Sequence, residues 1–97
     1  MYTLEEVKEN LRTKRYWTEK AIVRLFEEQT EHEKQSAMTA IRNNVGFNAT
    51  DAAIMTSFAQ RLLQGRALSE KQLAIAQRRI PKYAKQLLSL GKEAQNG

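Results

Sequence analysis

The chain has no cysteine, one proline, one histidine and four glycines in 97 residues. Without cysteine there is no disulfide framework, no thiolate metal site and no cysteine nucleophile, and nothing marks an oxidising compartment. His32 lies in Glu31-His32-Glu33, whose side chains point in different directions on a helix. With Glu28 one turn back it makes two donors, too few for a metal site, and no second histidine exists to activate a serine or threonine. Gly46, Gly65, Gly91 and Gly97 stand apart, so no glycine-rich phosphate loop is present. No run approaches the roughly 20 apolar residues of a membrane span. Glu5, Glu6 and Glu9 stand where a signal peptide would be basic and then apolar. The expectation is a cytoplasmic protein without catalytic residues, metal, cofactor or membrane association.

The residues that are present read as helix throughout. With 41% hydrophobic residues the chain can bury one core, which predicts a single helical domain over 1–90 and a flexible tail over 91–97. Thr3 and Glu6 form a capping box that opens a helix over about 4–14, with Leu4, Val7 and Leu11 as its apolar stripe. Thr18 reads as the cap of a second helix, with Ile22, Leu25, Phe26 and Gln29 inward. Asn43 to Asn48 makes a break in which Phe47 anchors the loop and Gly46 turns it. Asn48 or Thr50 caps a third helix, Asp51 sits in its first turn, and Ile54, Met55, Phe58, Ala59, Leu62 and Leu63 face inward. Gly65 closes that helix, and Ser69 with Gln72 opens a fourth. Pro81 kinks the last helix or divides it into 70–79 and 81–90. No segment alternates with a period of two, so the fold class is all-α, a compact bundle of four or five helices.

The net charge of +5 is unevenly placed. Residues 1–50 hold eight basic and eight acidic side chains, whereas 51–97 hold eight basic against Asp51, Glu70 and Glu93. At about 100° per residue, Lys71, Arg78, Lys82, Lys85 and Ser89 fall within roughly 40° of one line. No acid lies between Lys71 and Lys92. Such a line, flanked by Arg79 and supplemented by Arg61 and Arg66, suits a phosphate backbone; it is equally the solvated outer face of a packed helix. A second basic run, Arg12, Lys14, Arg15, Tyr16 and Trp17, offers Trp17 as a stacking platform for a base, or as a hydrophobic staple at a helix start. Gln29 lies on an apolar face, where its amide needs partners, and is expected to hold the Asn43–Phe47 loop by backbone hydrogen bonds.

Gln29-Thr30 with Glu33, Asn44-Val45-Gly46-Phe47-Asn48 with Asp51-Ala52, Gly65-Arg66 with Leu68-Ser69 and Lys71-Gln72, and Lys82-Tyr83 with Gln86-Leu87 form a combined pattern over about residues 17–88. It resembles a family of small phage and mobile-element proteins, and the pattern also appears in longer phage-type proteins associated with DNA metabolism. The resemblance implies a phage or prophage setting and nucleic acid as partner, with DNA the first expectation and RNA the second; it carries no catalytic residues. The expected function is a phage-encoded accessory protein that binds nucleic acid non-specifically through Arg61, Arg66, Lys71, Arg78, Arg79, Lys82 and Lys85. The alternative is an inhibitor or adaptor that binds a host protein, for example a defence-nuclease component. Homo-oligomerisation through the second and third helices is a further possibility.

Overall fold

The computed structural model describes the backbone of residues 2–36 and 47–89, and the side chains of all of these except 30–36. Gly46 with the rest of the 43–46 loop, the His32 side chain and the 91–97 tail therefore lie outside what is described. Helix α1 (Leu4–Thr13) starts as its sequence dictates: the Thr3 hydroxyl accepts the Glu6 N–H, and the Glu6 carboxylate accepts the Thr3 N–H. The Thr3 N–H, and after it the Thr3 side chain, hold the Glu6 carboxyl below its usual range.

Helix α2 (Arg15–Ser36) begins three residues before the expected Thr18 cap. One extended residue, Lys14 (φ −112°, ψ 116°), turns the corner between α1 and α2. Thr18 is fully buried inside α2, and its hydroxyl donates to the carbonyls of Leu11 and Lys14, at 2.9 and 3.0 Å. The hydroxyl chemistry that makes threonine a good cap here satisfies an orphan carbonyl at the end of the preceding helix.

Helix α3 (Ala52–Leu63) is entered through Asn48, whose side-chain oxygen accepts the Asp51 N–H at 3.0 Å and whose carbonyl accepts the Ala52 N–H at 2.9 Å. It closes at Gly65 (φ +82°), where Gly65 N–H reaches the Leu62 carbonyl and Arg66 N–H the Arg61 carbonyl. This is a Schellman ending, which requires a left-handed residue. Ser69 and Gln72 form the capping box of α4 (Glu70–Arg79). Pro81 divides the last helix: Ile80–Tyr83 is a single 3-10 turn, and α-helix resumes over 84–89.

The elements are all helical among the described residues and pack as a compact bundle, α2 against α1, α3 and α4, and α1 also against the 3-10 turn. Val7, Leu11, Ile22, Leu25, Met55, Phe58, Ala59, Ala76, Ile80 and Ala84 form the core. Each large aliphatic or aromatic side chain so buried contributes about 1.5 to 3 kcal/mol. Leu63, expected inward, is instead 56% exposed, because the helix closes there and its last turn faces water. Leu68 is the buried anchor of the α3–α4 loop: Arg15 donates to its carbonyl at 2.8 Å, and Glu19 accepts its N–H at 3.2 Å. None of the described helices is long and apolar enough to cross a membrane.

Candidate nucleic-acid interface

The expected basic line divides into two groups once the side chains are placed. Arg66, Lys71, Arg78 and Lys85 are exposed and form no ion pair among the described residues. Lys71 and Arg78 stand two turns apart on one face of α4, about 10 Å along its axis. A 3-10 turn advances about 120° per residue rather than 100°, so Ile80–Tyr83 adds roughly 80° and carries Lys85 off the straight line. The surface is accordingly broader than a stripe.

Arg79 and Lys82 do not extend freely into solvent as the helical line suggests. Their charged ends converge on Asp51, whose side chain is fully buried: Arg79 Nη1 lies 2.7 Å from Oδ1, and Lys82 Nζ 2.6 Å from Oδ2. The Tyr83 hydroxyl donates to Asp51 Oδ2 at 2.7 Å and accepts the Asn48 N–H at 3.0 Å. Burial alone would push the Asp51 carboxyl up, but the bonds from Lys82, Tyr83 and Arg79 outweigh it and leave it below its ordinary value. Tyr83 is pushed up to about 12, first by burial and further by the Asp51 charge, against the opposing Asn48 bond. One carboxylate cancels one of two cations, and the Arg79 and Lys82 side chains remain 39% and 48% exposed. The cluster therefore keeps a surplus positive charge at the surface.

Arg61 is also partly committed, its Nε donating to the Ala67 carbonyl at 2.8 Å and holding the α3–α4 loop. The basic run at the α1–α2 corner is dispersed. Arg12 pairs with Glu9, Arg15 with Glu19 and the Leu68 carbonyl, and Lys20 lies over the Tyr16 ring at 5.6 Å. Trp17 lies inside α2, half-buried, with the Tyr2 ring edge-on at 4.9 Å, rather than ahead of a helix start. Gln29 Oε1 accepts the Phe47 N–H at 3.0 Å, and Phe47 is buried edge-to-face on Tyr83 at 5.8 Å.

Six residues of the scattered pattern over 17–88 meet at one point. Gln29, Phe47, Asn48, Asp51, Lys82 and Tyr83 form one connected polar and aromatic network joining α2, the entry to α3 and the 3-10 turn. Sequence reasoning missed Asp51 as its centre, although one signal was available: it is the only acid between Glu33 and Glu70. Among the described residues no three His, Cys, Asp or Glu side chains gather as a metal site. No family model, curated protein or solved structure matches this chain.

Proposed function

We propose that this chain is a phage-encoded accessory protein that binds nucleic acid without base specificity. The observation that carries this reading is the set Arg66, Lys71, Arg78 and Lys85, exposed and without acidic partners among the described residues. Of the two acids in this half of the described chain, Asp51 is buried under its own cations. Lys71 stands in the first turn of α4, where the helix dipole favours acids, so its charge does not serve the helix. The mechanism is phosphate neutralisation with counterion release, which positions the chain on a backbone and reads no sequence. The phage setting rests on the family resemblance.

Four free cations and the surplus charge of the Arg79–Lys82 pair amount to about five phosphate contacts, which sets a log-log salt slope of about −4.5 on duplex DNA. Mobility shifts of DNA and RNA, each single- and double-stranded, across a salt series measure it. The triple substitution K71E/R78E/K85E should abolish the shift while leaving thermal unfolding near wild type. Absence of binding at low salt, or binding indifferent to the triple substitution, overturns the reading.

A further inference from the structure

A separate surface forms where α1, α2 and residues 84–89 meet. A groove of about 220 Å³ there has Val7, Leu11, Ala21 and Leu87 as its floor and Trp17 as one wall. Its rim is Tyr16, Lys20 and Arg24, one stripe of α2 at helical spacing. Tyr16 is 69% exposed, and Tyr2, edge-on to Trp17, is 53% exposed. Neither tyrosine adds to the core; Tyr16 lines the opening, and Tyr2 packs on the Trp17 that walls it. Exposed, rigid aromatics beside an apolar pocket are what protein-binding hot spots are built from.

We infer that this groove takes one large apolar side chain from an acidic amphipathic helix of a partner protein. Three observations select that occupant. The volume lies below the roughly 300 to 1,000 Å³ of small-molecule pockets and suits a single side chain. The floor is aliphatic and offers no side-chain donor or acceptor, so a nucleobase docked there would leave its polar edge unpaired. Lys20 and Arg24 stand one turn apart on the rim, about 6 Å, so acids one turn from the anchor on a docked helix would meet them. Lys20 has no acidic partner among the described residues, and Arg24 has Glu28 alone, at 3.3 Å. A second copy of this chain is a poor occupant: Leu63, its exposed aliphatic side chain, is flanked in sequence by Arg61 and Arg66 rather than by acids, and its exposed Tyr2 and Tyr16 stand beside Trp17 or on the groove itself. This inference is independent of the phosphate-binding surface.

The probe is a displayed library of 14-residue helical peptides, randomised at one central anchor and at the positions one turn to either side, selected on the whole chain. Trp17 is the chain's one tryptophan, so its fluorescence reports the groove directly. Selection should enrich Leu, Phe, Met or Trp at the anchor with Asp or Glu beside it, and the selected peptides should shift Trp17 emission saturably. K20E/R24E, both on exposed side chains, should weaken those peptides by about tenfold and favour Lys- or Arg-flanked ones. Y16A should weaken binding whatever the flanks, with helix content by circular dichroism unchanged. The inference fails if no peptide is enriched, or if enriched peptides are indifferent to K20E/R24E and Y16A. It fails equally if oligothymidylate perturbs Trp17 more tightly than any peptide, or if protein concentration alone does.

Discussion

Asp51 makes the most exacting test of the structure, because a fully buried carboxylate is held by two cations whose own ends remain partly in water. Substituting D51N keeps the shape and removes the charge. It forfeits one or two hydrogen bonds to a charged acceptor, each worth about 1.5 to 3 kcal/mol net, while relieving some of the cost of burial. The expected loss is about 2 to 4 kcal/mol, a large part of the roughly 5 to 15 kcal/mol that stabilises a domain. Removing the cations has a different signature. R79M or K82M leaves the carboxylate with the other cation and Tyr83, so each should cost only about 1 kcal/mol, as expected for partly exposed pairs. R79M/K82M leaves a buried charge with Tyr83 alone and should cost about 4 kcal/mol, roughly 2 beyond the sum of the single substitutions.

The same logic fixes a rescue. With D51N already in place there is no buried charge to strand, so adding R79M/K82M should cost less than about 0.5 kcal/mol. Urea unfolding monitored by Trp17 fluorescence measures all five variants, with a slope near 1 kcal/mol per M for a domain of this size. A double variant no worse than the sum of its parts, or a silent D51N, would refute the reading of Asp51 as a buried anchor. The pH dependence has a definite sign: a carboxyl held below its ordinary value contributes stability above about pH 4 that is lost as pH falls through the folded-state value. D51N should flatten that acid limb.

Tyr83 governs the opposite limb. Its folded value of about 12 lies above the ordinary 10, so its contribution is complete below pH 10 and drains as pH rises through 12, by up to roughly 3 kcal/mol; Y83F should remove this decline in alkaline urea titrations, at a cost near neutrality of about 1 to 3 kcal/mol. Gly65→Ala meets no atom within 4 Å, so its penalty is purely that of a left-handed backbone, about 1 to 2 kcal/mol, or a drop of several degrees in thermal midpoint by calorimetry. Thr18→Val keeps the volume but strands the Leu11 carbonyl and the Gln77 amide that meets the hydroxyl at 3.2 Å. It should cost about 1 to 3 kcal/mol by urea unfolding, and Thr18→Ser should recover most of that.

Legibility in the sequence tracked the range of the interaction. Thr3 with Glu6, Ser69 with Gln72, and Gly65 act within three or four residues, and each is where local chemistry puts it. Gln29 was readable over a longer range because an amide on an apolar stripe demands a partner, and the Phe47 N–H supplies it. Thr18 and Asp51 misled for one reason: each sits where a sufficient local explanation exists, a cap for the threonine and a place at a helix start for the acid. Their actual partners come from outside their own helix, Leu11 for Thr18, and Arg79, Lys82 and Tyr83 for Asp51. Likewise the line of cations was legible as a projection. Which cations were already spent on a carboxylate was not, because that depends on α3 meeting the 3-10 turn.

This division decides which substitutions speak about function at all. Charge reversal at Lys82 or Arg79 would place an acid against the buried Asp51 carboxylate, so loss of nucleic-acid binding there would report unfolding as readily as a lost contact. Arg61 carries the same ambiguity in milder form through the Ala67 carbonyl. Lys71, Arg78 and Lys85 contact no acid among the described residues, so reversing them alters the surface potential and leaves the Asp51 network intact. The seven cations of the expected surface, those on the helical line and those that supplement it, thus fall into a set that builds the fold and a set left over for a ligand. Only a defect confined to the second set, with stability unchanged, counts as evidence for a polyanion partner.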